Sequence, residues 1–147
     1  MTLADRKDVA RKLAFAARHI AHKTGKNARM AHAGYLSSVL AGYLSVPLAG
    51  YAPMRTEIDP TVAMEKASVH SSICMPVIIA PATPLKFRRW TPDCVMEIGT
   101  FGAKIPISGD WVIPQILIVP LLAFSRGGGR LGYGGGFYDR TLESLRL

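Results

Sequence analysis

Ile116-Leu117-Ile118-Val119-Pro120-Leu121-Leu122-Ala123-Phe124 is followed, after a five-residue link, by Arg130-Leu131-Gly132-Tyr133-Gly134-Gly135-Gly136-Phe137-Tyr138-Asp139-Arg140. The first stretch is too short to cross a bilayer and predicts a central, buried strand. The second predicts a glycine-rich bend and then a helix from about Phe137. Glycines remove Cβ atoms, so backbone N–H groups can close on phosphate oxygens, and the helix would turn its positive dipole end toward the same anion. Arg130 offers a two-pronged contact to phosphate, and Asp139 is a hard oxygen ligand of the kind Mg²⁺ prefers. A bend just past the C-terminal end of a strand lies where open α/β sheets bind ligands. The alternative is a flexible turn, because the string matches neither G-x-x-x-x-G-K-[ST] nor G-x-G-x-x-G with its acidic partner.

Working outward, Val9, Leu13, Ala16, Ala17 and Ile20 recur at helical spacing and predict an amphipathic helix from Asp5 to about His22, docked through those residues. Its other side is basic: Lys7 and Arg11 stack four residues apart, and an anion between them would relieve their repulsion. Two solvated surface cations are the competing reading. Tyr35 to Tyr43 suggests a second helix, and Val46 to Tyr51 a strand. Asp59 reads as an N-cap, with Pro60 at the first position of a helix running to about His70. Ile73 to Ala80 and Leu85 to Trp90 read as further strands, the second more exposed. Thr91 to Gln115, punctuated by glycine and proline, reads as a long irregular segment, and such loops in compact domains often serve function. Strand, helix, strand and strand, loop, helix describe one α/β domain over residues 1–147, with a mixed, partly parallel sheet flanked by helices.

Nearly half of the 147 residues are apolar (49%) and only 19% are charged, which excludes a disordered chain and predicts a soluble globular protein. The net charge of +8 favours anionic partners without choosing among them. No acidic residue lies between Asp8 and Glu57, so the basic excess is largely N-terminal. A transit peptide is the minor reading of that start, since Asp5 and Asp8 fall in its first turns and no secretory core with a cleavage site is present. Cys74 and Cys94 lack metal-ligand spacing and predict reduced, buried thiols in a cytoplasm.

The string from Arg130 to Asp139 resembles the signature of the 5-formyltetrahydrofolate cyclo-ligase (methenyltetrahydrofolate synthetase) family. Three other segments resemble that pattern in the same order: Lys7 with Arg11; Tyr51, Pro53, Glu57 and Asp59; and Leu85 to Trp90 leading to Phe101-Gly102. The resemblance implies a cyclo-ligase or NagB/RpiA-like α/β fold. It also implies ATP- and Mg²⁺-dependent conversion of 5-formyltetrahydrofolate to 5,10-methenyltetrahydrofolate, with ADP and phosphate released. It further implies ATP contacts from Lys7, Arg11 and the loop Arg130, Leu131, Gly132, Tyr133, Gly134, Gly135, Gly136, Phe137 and Tyr138. Folate contacts would come from Ala52, Glu57 and Tyr133 to Phe137, a metal ligand from Asp139, and catalytic roles from Arg130 and Tyr138.

The chain departs from that pattern in places. Ser125 stands where the family usually has Asp after Ala-Phe, Ile105 precedes Pro106 where Glu is usual, and Phe137 replaces the commoner Tyr. The sequence stops at Leu147, one short helix past the loop, where the family continues through another strand. The expectation is therefore either a shortened, monomeric copy of weakened activity or a homodimer that covers the exposed sheet edge. A binding module that holds ATP or folate without turnover is the first rival. A basic nucleic-acid-binding protein is the second, disfavoured because no aromatic residues interleave with the basic cluster in a recognisable motif.

Overall fold

The computed structural model describes all 147 residues, the side chain of Lys26 excepted. Its helices are α1 (Leu3–Thr24), α2 (Arg29–Leu40), α3 (Thr61–Ser68) and α4 (Phe137–Leu145). Its strands are β1 (Leu48–Ala49), β2 (Ile73–Val77), β3 (Lys86–Trp90), β4 (Met96–Ile98), β5 (Lys104–Pro106), β6 (Ile116–Leu117), β7 (Ala123–Phe124) and β8 (Arg130–Leu131). The main sheet has the order β3-β2-β1-β6. Strand β1 runs parallel to both β2 and β6, while β2 pairs antiparallel with β3, so the sheet is mixed as the sequence predicts.

Strand β2 sits inside this sheet because Ile73, Cys74 and Met75 are a continuous apolar run, buried on both faces. Adjacent residues point to opposite faces. Leu48, Ile73 and Met75 therefore join Leu40 of α2 and Ala63, Met64 and Ala67 of α3 in one core. Ala49, Cys74 and Phe87 face the other way, where Phe137, Tyr138 and Leu145 of α4 pack against them. Burial pushes the Cys74 thiol up to about 12, so it behaves as a small apolar residue. The Asp59 carboxylate accepts from the Thr61 backbone N–H at 2.9 Å just ahead of α3, but Pro60 rather than Asp59 is the N-cap, so the helix begins at Thr61, one residue later than expected, and it ends at Ser68 rather than near His70.

Helix α4 is tied to the sheet by Thr141, which is 1% exposed. Its hydroxyl accepts from the Leu85 N–H at 2.8 Å and donates to the Phe137 carbonyl at 2.6 Å. Thr141→Val keeps the shape and strands a buried N–H, so urea denaturation is expected to show a loss of about 1–3 kcal/mol.

Three expectations are corrected. Ile116 to Phe124 is not one central buried strand. Only β6 joins the main sheet, at its edge, and Pro120 lies where the run breaks, without an N–H to continue a ladder. Beyond it, the Leu122 N–H donates to the Leu131 carbonyl at 2.9 Å and β7 pairs with β8 in a separate hairpin. Helix α1 forms, but Val9, Leu13 and Ile20 are exposed. Arg11, Ala14, Phe15 and Arg18 are instead its partly covered side. The segment 91–115 is not irregular throughout: β4 and β5 form a hairpin whose turn is closed by the Gly99 N–H on the Ala103 carbonyl at 2.8 Å, with Gly102 at φ 85°.

Candidate functional site

The bend leaves β8, passes through Gly134 at φ 100° and Gly136 at φ 71°, and enters α4. Both values lie in the region that favours glycine, so the turn requires these residues. Arg130, at the start, and Asp139, in the first turn of α4, close on each other: Nη2 meets Oδ1 at 2.6 Å. The Arg140 guanidinium folds back to donate to the Gly135 carbonyl at 2.8 Å.

From the opposite side, α1 brings its basic face to the bend. Arg11 Nε donates to the Gly132 carbonyl at 3.0 Å, and its Nη1 meets Asp8 at 2.8 Å. Arg18 Nε donates to Thr56 Oγ1 at 2.8 Å, and its Nη1 donates to the Tyr133 hydroxyl. Helix α1 docks by guanidinium contacts with loops, which is why its apolar stripe was a false guide.

Glu57 lines the site and is 9% exposed. Its Oε1 accepts from the Met54 N–H at 2.7 Å and its Oε2 from the Tyr133 hydroxyl at 3.2 Å. Burial holds its pKa above the ordinary 4.5, opposed by the Met54 and Tyr133 hydrogen bonds and the charge of Arg18. Nearby, the Tyr51 hydroxyl donates to the Ile58 carbonyl at 2.6 Å, fixing the turn that carries Glu57. The Tyr138 hydroxyl is buried without a hydrogen-bond partner, and burial raises its pKa. A buried, unsatisfied hydroxyl in a cavity wall is a group prepared to meet a ligand.

These elements enclose a cavity of about 810 Å³, the size of a site for a drug-sized or cofactor-sized ligand. Lys7, Arg11, Ala52, Glu57 and the unbroken run Arg130 to Asp139 all line it. The residues nominated from the sequence are thus brought together, although Lys7 and Glu57 are 50 positions apart. The sequence did not nominate Arg18, Arg55 or the hairpin residues Glu97 and Lys104, which also line the cavity. Arg18 carried a usable signal, since it falls one and two turns beyond Phe15 and Arg11 on the covered side of α1.

The cations Lys7, Arg11, Arg18 and Arg130 make the cavity suited to an anion. Among the described residues no three His, Cys, Asp or Glu side chains gather as a metal cluster. Asp139 alone, with its side chain 78% exposed, matches the sparse protein ligation of Mg²⁺ that arrives on a phosphate and keeps waters.

A glycine bend between strand and helix, faced by cations and backed by a buried carboxylate, defines an α/β protein whose cavity lining suits an anion. Residues 5–147 match the model of the 5-formyltetrahydrofolate cyclo-ligase family, and the chain belongs to that family. It is 46% identical over 65 residues to the 5-formyltetrahydrofolate cyclo-ligase of Haemophilus influenzae, covering 41% of this chain and 35% of that protein. Against the Escherichia coli K12 cyclo-ligase it is 66% identical over 30 residues, 20% of this chain and 16% of that one. The matched stretches thus span about a third or less of these curated relatives. The NMR structure of Aquifex aeolicus 5,10-methenyltetrahydrofolate synthetase superposes with a TM-score of 0.73 at 26% identity, over 93% of this chain and 72% of that one. A Mycoplasma pneumoniae 5,10-methenyltetrahydrofolate synthetase, at TM-score 0.66 and 18% identity over 93% and 77% of the two chains, shares the fold. Among the described residues no helix is long and apolar enough to cross a membrane.

Proposed function

We infer that this chain, as a single cytoplasmic α/β domain, converts 5-formyltetrahydrofolate and ATP to 5,10-methenyltetrahydrofolate, ADP and phosphate. The observation that carries the reading is the convergence of Lys7, Arg11, Glu57 and the bend from Arg130 to Asp139 on one cavity. The formyl oxygen would attack the γ-phosphorus and displace ADP. N10 then attacks the activated formyl carbon, phosphate departs, and N10 loses its proton. Such chemistry asks the protein for alignment and charge neutralisation rather than for a covalent intermediate.

Arg130, Arg11 and Lys7 would take the phosphate oxygens, with the Gly132 to Gly136 backbone closing around them. Bound Mg²⁺, held at Asp139, would neutralise charge on the transferred phosphoryl group. Glu57 would accept from the N–H groups of the folate's pterin ring, beside Ala52. The Tyr138 hydroxyl, unpartnered in the wall, would complete the contacts of the reacting group. Absorbance of the methenyl product tests the reading: folded wild-type protein should form it only with ATP present, and its absence would remove the enzymatic assignment.

Ser125 favours one second reading, retention of ligand without turnover. Its hydroxyl accepts from the Gly129 N–H at 3.0 Å and closes the β7–β8 turn, so it is committed to the turn and supplies no charge. Calorimetric ATP binding by a protein that forms no product would support that reading.

Glu57 sets a pH dependence. Its pKa is raised in the fold, so the native chain holds the proton more tightly than the unfolded chain does. Its contribution to stability is then complete below 4.5 and is lost as pH climbs through the raised value. Folate recognition runs the opposite way, because only the ionised carboxylate is a full acceptor. Folate kcat/KM should rise with pH over the window that begins at 4.5. Glu57→Gln should flatten that limb and lower folate kcat/KM by about 10- to 100-fold, as expected for a charged hydrogen bond.

A further inference from the structure

We propose that Arg18 is a positioning residue for the folate side of this cavity, holding the Tyr133 phenol against Glu57 so that loop and carboxylate meet the ligand in register. The proposal rests on the cavity being the folate site. The two segments joined by Arg18 are 76 residues apart in sequence, one carrying Glu57 and the other Tyr133.

The geometry is specific. Arg18 Nε donates to Thr56 Oγ1 at 2.8 Å, one residue before Glu57. Its Nη1 donates to the Tyr133 hydroxyl and reaches the Leu121 carbonyl at 3.4 Å. The guanidinium carbon stands 5.4 Å from the ring centroids of both Phe15 and Tyr133. Those rings are themselves 5.7 Å apart, so the cation and two aromatic groups form one packed unit.

Hydrogen-bond direction follows from the donor inventory. A guanidinium only donates, so the Tyr133 oxygen accepts from Arg18 and its single proton points to Glu57 Oε2, 3.2 Å away. A phenol that accepts from a cation is a stronger donor, and the relay runs one way, from Arg18 through Tyr133 to Glu57. Lysine cannot replace this arrangement, because it lacks the planar fork that reaches threonine and tyrosine together. Arg18 contacts Thr56, the Leu121 carbonyl and the rings of Phe15 and Tyr133, and it makes no hydrogen bond to Lys7, Arg11 or Arg130. Its effect should fall on folate and spare ATP.

The test compares Arg18→Met, Arg18→Lys, Tyr133→Phe and the double variant Arg18→Met/Tyr133→Phe, with KM measured separately for 5-formyltetrahydrofolate and ATP. Arg18→Met is expected to raise folate KM about tenfold, in the range of a lost charged hydrogen bond, with ATP KM and kcat within about twofold. Arg18→Lys should recover no more than part of that loss. Adding Arg18→Met to Tyr133→Phe should cost little more than either change alone, since both cut the same relay. Thr56→Val supplies a milder variant should Arg18→Met fail to fold, with a folate KM rise of about two- to threefold. Unchanged folate KM, equal rises in both KM values, or penalties that multiply in the double variant would overturn the proposal. Calorimetric titration of 5-formyltetrahydrofolate without ATP carries the same comparison. Wild-type protein that binds folate without product therefore sinks only the catalytic reading, whereas affinity indifferent to Arg18 sinks this one.

Discussion

Arg130→Met is expected to reduce kcat/KM for ATP-dependent methenyl formation by roughly 1,000-fold, the scale on which a charge clamp on a transferring phosphoryl group acts. The guanidinium lines the cavity at the entrance to the glycine bend and is already oriented by Asp139 at 2.6 Å. Its side chain is 21% exposed, so it is partly shielded from the water that would weaken its field. Methionine preserves the aliphatic stem and should hold the thermal midpoint within about 3 °C, the equivalent of less than 1 kcal/mol for a domain of this size. Arg130→Lys keeps the charge without the fork and should fall between wild type and Arg130→Met. A loss below tenfold for Arg130→Met, in folded protein, would take Arg130 out of the chemistry.

The second large effect is structural and lies at Gly50. A Cβ there would stand 2.4 Å from Sδ of Met64, 2.8 Å from Cε and 2.9 Å from Cγ. Methionine usually yields, but Met64 is 0% exposed and packed in the core between α3 and the sheet, where interiors are close-packed. The Gly50 N–H also donates to the Cys74 carbonyl at 2.9 Å, so the backbone cannot retreat without breaking the β1–β2 ladder. Gly50→Ala should therefore cost about 1–3 kcal/mol in urea denaturation, as overpacking of a core does. Met64→Ala added to it should recover part of that loss. Gly127→Ala is the control: nothing lies within 4 Å of its Cβ, and stability should stay within about 0.5 kcal/mol. Equal stability of Gly50→Ala and wild type would contradict the packing described.

The parts of this architecture that local chemistry dictates were legible before the fold was known. Ile73 to Met75 read as a strand because a run of such residues has no other stable home in a small domain. The string Arg130 to Asp139 was legible because Gly134 and Gly136 need conformations that other residues avoid. What stayed hidden depended on partners distant in sequence. Ile116 to Phe124 resembles a central strand by composition, yet its edge position is set by where β1 lies, and its break by the missing N–H of Pro120. The orientation of α1 was misread because Val9, Leu13 and Ile20 outweigh Arg11 and Arg18 in any apolar count. The docking face was chosen by carbonyls and a phenol more than 100 residues away. The β4–β5 hairpin hid behind glycines and prolines that read as irregular chain. The belonging of residues 5–147 to the cyclo-ligase family was visible in four short segments, and the cavity that unites them was not.

Helix α1 contains 22 residues and none of them is buried. A wall fastened by a few guanidinium contacts and little apolar area is the least expensive part of the molecule to detach. Loss of that wall would remove Lys7, Arg11 and Arg18 from the cavity in a single event, and an anion bound between wall and bend would oppose it by mass action. On the proposed reading the occupant would finish the chamber: nucleotide would act as the keystone, and vacancy would leave the N-terminal arm free to swing.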